Sequence, residues 1–249
     1  MGMTLYLDSY RSPTGQRLKQ SGVFRDWSPS VRARAGDVIL KWGRGYGGYP
    51  NVAKVVNPVI CSDKLYQGAN IAGAGLPIPK IYRNSTEWQQ DGYPDLVYKP
   101  REGEGGRGIA HSTRHTNPPN WGRFEGIYQR YIPKVKEFRA LQIGNLSAYI
   151  MEKTPPHGDS SVICWNLHQG SEWHRLYTYP APLRGIYRDI NRLAEQAIIA
   201  NHYDLAGVDI MQDGEGQLWI LECNSRPGLG PENLRLFVQA FTDWAASLA

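Results

Sequence analysis

Short apolar runs with a period of two alternate with segments of helical periodicity along this chain. The alternating runs predict strands at 4–10, 37–42, 78–82, 95–99, from 109 onward, 126–132, 137–143, 146–153, 205–211 and from 218 onward. Apolar positions spaced three and four residues apart predict helices at 15–24, 62–74, 187–201 and 233–248, with a helical turn at 85–90. Ser62 is the expected N-cap of the second helix. A long polar segment occupies 154–174. Strands mixed with interspersed helices indicate an α+β, or mixed α/β, fold.

The last predicted strand lies in the segment 218–228, which reads LWILECNSRPG. Side chains on a strand alternate between its two faces, so Glu222, Asn224 and Arg226 are expected on one side. Cys223 should then face the opposite side, into packing. A carboxylate, an amide oxygen and a guanidinium on one face suit a site where the first two hold a cation and the third meets an anion.

The strand upstream, LAGVDIM at 205–211, carries a single acid, Asp209. The connection QDGEG favours a hairpin between the two strands. Asp209, Glu222 and Asn224 would then form an oxygen-rich pocket suited to Mg²⁺ or Mn²⁺, which completes its shell with water and phosphate. The alternative is an edge hairpin whose acids are solvated.

A glycine-rich loop follows Lys99 in the segment DLVYKPREGEGGRGIA, residues 95–110. Glycines allow backbone N–H groups to approach an anion closely, and a lysine at the strand end adds a positive charge. The spacing is neither that of a P-loop nor that of a dinucleotide fingerprint, because no helix follows. The alternative is a mobile hairpin tip, and Glu102 and Glu104 would oppose phosphate binding if they pointed inward.

The balance of 28 basic and 23 acidic residues gives a net charge of +5, which suits anionic small molecules and is too scattered to predict nucleic-acid binding. No stretch approaches 18 apolar residues, and the first residues lack the apolar core of a secretory signal, so no membrane partner is expected. Cys61, Cys164 and Cys223 are odd in number without metal spacing, which favours reduced thiols in the cytoplasm. The oligomeric state stays open.

The motifs taken together resemble the ATP-grasp superfamily over about residues 57–232. The motifs that carry the resemblance occur in the order DK at 63–64, GLPIP at 75–79, VYKPREGEGGRGI at 97–109, YQRYI at 128–132, EFR at 137–139, GVDI at 207–210 and LECNSRPGL at 221–229. The pattern is most similar to carboxylate–amine ligases of the type that adds glutamate to a ribosomal protein tail, a group that WNLHQG at 165–170 also resembles. The N-terminal part resembles ATP-grasp ligases encoded by some bacteriophages.

The resemblance implies a nucleotide held between two α+β subdomains, preceded by a short N-terminal α/β domain. The expected division is 1–60 for the N-terminal domain, 61–128 for the small subdomain with the glycine-rich loop and 129–249 for the large subdomain with the metal site. The cofactors implied are ATP and Mg²⁺ (or Mn²⁺).

The resemblance also assigns roles to residues. Those expected at the nucleotide are Lys64 and Lys99 on the phosphates, Gly105 and Gly106 in the loop above them, Gln129, Tyr131 and Ile132 at the adenine, and Glu137 near the ribose. Asp209, Glu222 and Asn224 would hold the metal, while Arg226, Arg139 and Lys153 would face phosphates and developing anions. Gln129 departs from the family, where a glutamate is common at this position.

Three further residues are candidates for substrate contacts. Arg44, in the glycine-rich segment after the second strand, could bind a carboxylate, or it could be a solvated loop arginine. Asn166 and His168 could contact substrate from the polar segment 154–174, although a histidine in a polar loop is more often solvated.

The activity implied is ATP-dependent joining of a carboxylate to an amine through an acylphosphate. The substrates would be small-molecule or peptide acids and amines. Two alternatives remain open: a phosphotransferase on the same scaffold, which would phosphorylate a hydroxyl, and a nucleotide-binding module without catalysis. Lys99, Asp209, Glu222, Asn224 and Arg226 together argue against the latter.

Overall fold

The computed structural model describes residues 3–9, 12–42, 46–59, 61–103, 106–116, 119–121, 125–165 and 170–248. Within these ranges the strands form three sheets, and each sheet is made from one continuous part of the chain. The mixed α/β character predicted from the sequence is confirmed. No helix within these ranges has both the length and the apolar character needed to cross a membrane.

The N-terminal sheet is parallel and has the strand order β2-β1-β3-β4. Its strands are β1 (Leu5–Asp8), β2 (Arg25–Asp26), β3 (Val38–Lys41) and β4 (Lys54–Val56), with helix α1 (Pro13–Gln20) after β1. The sequence predicts β1, α1 and β3. It does not predict β2 and β4, because two or three residues are too few to show an alternating pattern.

The second sheet is antiparallel and has the order β5-β8-β6-β7. Its elements are α2 (Lys64–Gly73), β5 (Ile81–Tyr82), α3 (Ser85–Gln90), β6 (Leu96–Pro100), β7 (Ala110–Ser112) and β8 (Gly126–Arg130). The prediction of Ser62 as the N-cap of α2 is wrong. Asp63 is the cap, because its carboxylate accepts a hydrogen bond of 2.9 Å from the backbone N–H of Leu65.

The third sheet is antiparallel and has the order β11-β10-β9-β12-β13. Its elements are β9 (Lys134–Ile143), β10 (Leu146–Lys153), a 3-10 turn (Pro156–Gly158), β11 (Trp173–Thr178), α4 (Ile186–Ala200), β12 (Leu205–Asp213), β13 (Leu218–Asn224) and α5 (Pro231–Ala246). The hairpin predicted from QDGEG is confirmed as the β12–β13 pair.

Helices cover both faces of the third sheet. One face packs with α5 and the N-terminal sheet around Leu141, Tyr149 and Phe237, while the other packs with α4 around Phe138 and Ile210. Burial against the first of these faces raises the pKa of Tyr149 to about 12. A sheet covered on both faces is a rigid support for side chains at its exposed end.

Asn57, which follows β4, connects the N-terminal sheet to the third sheet. Asn57, which is fully buried, donates to the carbonyl of Leu205 at 2.8 Å and accepts from the backbone N–H of Asp204 at 2.8 Å. These hydrogen bonds attach the N-terminal sheet to the start of β12.

Cys223, on β13, is 3% exposed and packs in the core beneath α4. Its predicted orientation, into packing, is therefore confirmed.

Candidate active site

A cavity of about 180 Å³ lies between the second and third sheets. Eleven of the residues expected from the resemblance line it: Lys64, Lys99, Gly106, Gln129, Tyr131, Ile132, Glu137, Arg139, Lys153, Asp209 and Glu222. They come from α2, the glycine-rich loop, strands of both sheets and the connection between β8 and β9. Residues distant in sequence therefore meet in one space, as the order of motifs predicts.

Two expected residues, Asn224 and Arg226, do not line this cavity. The side-chain oxygen of Asn224 accepts a hydrogen bond of 3.0 Å from the backbone N–H of Arg226, and Arg226 is exposed. β13 ends at Asn224, so the alternation that would place Arg226 beside Glu222 does not extend that far. Arg44, Gly105, Asn166 and His168 lie outside the described residues.

The acidic wall of the cavity consists of Asp209 and Glu222, which are direct partners across β12 and β13. The carboxylate of Asp209 accepts two hydrogen bonds of 2.6 Å from Nε and Nη2 of Arg139. Burial opposes ionisation of Asp209, but the charge and hydrogen bonds of Arg139 outweigh it and lower the pKa. Burial raises the pKa of Glu222, and the nearby charge of Asp209 raises it further. Nearby basic groups, Lys64 first, oppose this rise without cancelling it, so the site holds one readily ionised carboxylate and one whose ionisation is disfavoured.

This donor set fits a hard divalent cation. Mg²⁺ is commonly held by one or two carboxylates and takes its other ligands from water and phosphate, so a complete protein cage is not required. Among the described residues, no group of three or more histidine, cysteine, aspartate or glutamate side chains is arranged to hold a metal. Asp209 and Glu222 therefore suit a cation that arrives with a phosphate-bearing ligand.

The opposite wall carries two lysines. The ammonium of Lys64 donates to the carbonyl of Gly103 at 2.9 Å and lies 3.9 Å from the nearer carboxylate oxygen of Glu222. Lys99 donates to the side-chain oxygen of Gln129 at 2.6 Å. Burial lowers the pKa of Lys99, and the charge of Glu222 partly opposes this effect. Two ammonium groups and two carboxylates line the same cavity. This combination suits an anion that carries a divalent cation, with the lysines near the anion and the carboxylates near the cation.

The amide of Gln129 has a fixed orientation. Its nitrogen donates to the carbonyl of Pro79 at 2.9 Å, while its oxygen accepts from Lys99. The reverse orientation would place an acceptor against a carbonyl and a donor against an ammonium, so it is excluded. Gln129 therefore orients Lys99, and its expected contact with a nucleobase stays a prediction.

We expect Gln129→Leu to destabilise the protein by about 2 kcal/mol, because it leaves the ammonium of Lys99 and the carbonyl of Pro79 without their partner. Chemical denaturation measures this loss. Gln212→Leu is the matched control, since the amide of Gln212 bonds the carbonyl of Gly216 in an exposed turn. Equal stability of both variants would contradict the role assigned to Gln129.

The floor of the cavity contains a charged cluster that the sequence predicts in part. Glu137 forms ion pairs with Lys153 and with Lys134, both of which line the cavity. Lys134 is not predicted, because it lies three positions before Glu137, and an odd spacing on a regular strand places side chains on opposite faces. The register between β9 and β12 shifts at Val135, which brings Lys134 and Glu137 to the same side.

Two tryptophans border this cluster. The ammonium of Lys134 lies 4.6 Å from the ring centre of Trp165, which is 2% exposed and lines the cavity. The ring centre of Trp173, on β11, lies 4.7 Å from the ammonium of Lys153 and 5.2 Å from the guanidinium carbon of Arg139. Aromatic faces attract cations and restrict their movement, so these rings hold the basic side chains in place.

Neither a protein-family model nor a curated protein matches the sequence. Solved structures do match over almost the whole chain. PsnB, an ATP-grasp ligase complexed with minimal precursor, Mg and ADP, has a TM-score of 0.65 at 12% identity, with 98% of each chain covered. The macrocyclase MdnC from Microcystis aeruginosa, bound with precursor peptide MdnA, has 0.61 at 13% identity and 100% of each chain. D-alanine–D-alanine ligase from Bacillus anthracis has 0.59 at 14% identity and 99% of each chain.

At these identities the likeness establishes the fold. The chain has the ATP-grasp fold, and the fold implied by the sequence motifs is confirmed. The cavity between the second and third sheets of this fold is the candidate active site.

Proposed function

We propose that the protein is an ATP-dependent ligase that joins a carboxylate to an amine through an acylphosphate. The observation that carries this proposal is the cavity in which Lys64 and Lys99 face Asp209 and Glu222. The three similar solved structures support the proposal, because each is an enzyme of this kind. PsnB is an ATP-grasp ligase solved with Mg and ADP, MdnC is a macrocyclase with its precursor peptide, and the third is a D-alanine–D-alanine ligase.

The reaction requires two displacements. A carboxylate oxygen of the substrate attacks the γ-phosphorus of ATP and displaces ADP, which gives an acylphosphate. The amine then attacks the acyl carbon and displaces inorganic phosphate, and its proton passes to a nearby base or to water. The oxygen of a free carboxylate is a poor leaving group, and the first step converts it into phosphate, which is a good one.

Lys64 and Lys99 would bind the phosphates, and the N–H groups around Gly106 would approach them from the loop. Asp209 and Glu222 would hold Mg²⁺ (or Mn²⁺), which supplies charge neutralisation to the phosphate oxygens when bound. Arg139 and Lys153 would face the carboxylate and the anion that develops on it. The cover provided by 162–165, which lines the cavity, would limit hydrolysis by water.

The adenine would lie against Tyr131 and Ile132, and Glu137 would lie near the ribose. Asn224 would add a third metal ligand and Arg226 a further contact to phosphate if both turned toward the cavity. Arg44, Asn166 and His168 are proposed substrate contacts. We also propose the three-part division predicted from the sequence, with the boundary after β8 rather than inside it, because β8 pairs along its length within the second sheet.

The substrates proposed are a small-molecule or peptide carboxylate and an amine, and the reaction would take place in the cytoplasm. Reduced Cys61, Cys164 and Cys223 are consistent with that compartment, since none forms a disulfide. The N-terminal resemblance to phage-encoded ligases belongs to the same proposal.

The proposal is tested by incubating the protein with ATP, Mg²⁺ and pooled amino acids or peptides, and by measuring mass. A ligase gives a product lighter than its two substrates by one water, and ADP release depends on the amine. Hydroxylamine in place of the amine should trap the acylphosphate as a hydroxamate. A stable phosphorylated product formed without any amine would instead show a phosphotransferase.

A further inference from the structure

Arg101 has no role in the site described above, yet it makes a strong contact at the edge of that site. Its guanidinium forms a forked ion pair with the carboxylate of Asp63, in which Nε lies 3.2 and 3.1 Å from the two carboxylate oxygens and Nη2 makes a further short contact. A forked arginine–carboxylate pair fixes both distance and angle between two segments. Here the segments are the start of the glycine-rich loop and the start of α2.

Asp63 has two partners at the same time. It accepts from Leu65 as the N-cap of α2, and it accepts from Arg101 across 38 residues of sequence. The hydrogen bond from Arg101 is the main reason that the pKa of Asp63 is lowered. The carboxylate therefore joins the first turn of α2 to the loop.

Two further bonds join the same segments. The backbone N–H of Lys64 donates to the carbonyl of Arg101 at 3.0 Å, and the Lys64 ammonium donates to the carbonyl of Gly103 at 2.9 Å. Gly103 has a φ of +147°, a conformation that other residues rarely adopt. The loop is thus bound to α2 through a side-chain pair, a backbone bond and the lysine that lines the cavity.

We propose that Arg101 is a positioning residue, which binds the described start of the glycine-rich loop to the first turn of α2 and so sets Lys64 and the loop at the correct separation for phosphates. This inference rests on the nucleotide site of the proposed function. Arg101 does not line the cavity and acts through Asp63 and Lys64.

The side chains of Arg101 and Asp63 are 40% and 24% exposed, so the pair contributes little to global stability. A purely structural role would change unfolding and leave nucleotide affinity alone. A positioning role predicts the opposite pattern, because the loop and Lys64 lose their relative placement while the core remains intact.

The test uses Arg101→Gln and Asp63→Asn. Asparagine retains the N-cap of α2, so Asp63→Asn removes the ion pair without removing the cap. For each variant we expect ADP·Mg²⁺ to bind about fivefold more weakly and KM for ATP to rise by a similar factor, while kcat changes little. Hydrogen exchange at the Lys64 amide should be faster by about the same factor in the ligand-free protein.

Two controls separate this effect from general loss of charge. Arg83→Gln breaks the exposed Arg83–Glu87 pair in the same sheet region, away from the cavity, and should leave nucleotide binding unchanged. Arg101→Lys keeps the charge without the fork and should recover part of the affinity. The double variant Asp63→Asn/Arg101→Gln should be no weaker than either single variant.

The inference is overturned if Arg101→Gln binds ADP·Mg²⁺ as the natural protein does, or if exchange at Lys64 is unchanged. Its failure is distinguishable from failure of the proposed ligase. Weakened nucleotide binding in a protein that forms no amide would support the positioning role and reject the ligase. Normal binding in the variants of an active ligase would do the reverse.

Discussion

We expect Glu222→Gln to lower kcat for ligation about a thousandfold, the lower end of the range for losing a charged group that stabilises a phosphoryl-transfer transition state. Glutamine has nearly the same shape as glutamate but is a poor ligand for Mg²⁺. The carboxylate of Glu222 lies 3.9 Å from the ammonium of Lys64, one of the two lysines proposed to bind phosphate. Loss of its charge should therefore affect the reaction far more than the packing.

Stability should not fall in this variant. Burial and the charge of Asp209 both raise the pKa of Glu222, which means that its ionised form is held at a cost to the folded state. Replacing it with a neutral group removes that cost, so the unfolding midpoint should be unchanged or higher. Loss of turnover with retained stability would assign Glu222 to chemistry.

The measurement is steady-state ADP release and product formation across Mg²⁺ concentrations, with thermal unfolding on the same samples. Glu215→Gln is the matched control, since Glu215 is an exposed carboxylate in the turn of the same hairpin. Near-natural turnover in Glu222→Gln would contradict the proposal that Glu222 holds the metal.

The sequence predicts the parts of this site that lie on long, regular strands. Asp209 and Glu222 come from two strands joined by a turn with a strong hairpin signal, and their pairing follows from that signal and the alternation of side chains. The resemblance to the ATP-grasp superfamily also implies that Lys64 and Lys99 approach them. Local pattern and overall fold agree at these positions, and such agreement makes prediction succeed.

Prediction fails where a strand is irregular or weakly patterned. Lys134 joins Glu137 because of the register shift at Val135, and a shift of this kind has no period to detect. β11 (Trp173–Thr178) carries polar side chains at half its positions, and its start falls within the polar segment 154–174, so the sequence does not predict it. Trp173, which contacts the cationic side chains, escapes prediction with it.

Arg226 illustrates a different limit. Alternation along a strand is a reliable guide only while the strand continues, and β13 ends two residues earlier at Asn224. Where a strand ends depends on turn geometry, here a hydrogen bond from the Arg226 backbone to the Asn224 side chain. The end of β13 is therefore set by local polar contacts, and the hydrophobic pattern of the sequence does not encode these contacts.

We expect Arg139→Met to destabilise the protein by about 3 kcal/mol, because it leaves the carboxylate of Asp209 without its cation in a buried position. The Asp209 side chain is 8% exposed, and Glu222 beside it adds like charge. Asp209→Asn should cost less, about 1 kcal/mol, since Arg139 is 24% exposed and retains Glu222 nearby. Chemical denaturation of both variants measures this asymmetry.

The double variant Arg139→Met/Asp209→Asn separates structure from chemistry. Removing the second charge relieves the strain left by the first, so the double variant should be more stable than Arg139→Met alone, a non-additivity expected only for groups in direct contact. Turnover should be lost in all three variants, because Arg139→Met removes a proposed anion contact, Asp209→Asn removes a proposed metal ligand, and the double variant removes both. Additive losses of stability would show that the pair does not act as a unit. Activity that returned together with stability would show that Arg139 and Asp209 support the sheet and take no part in the reaction.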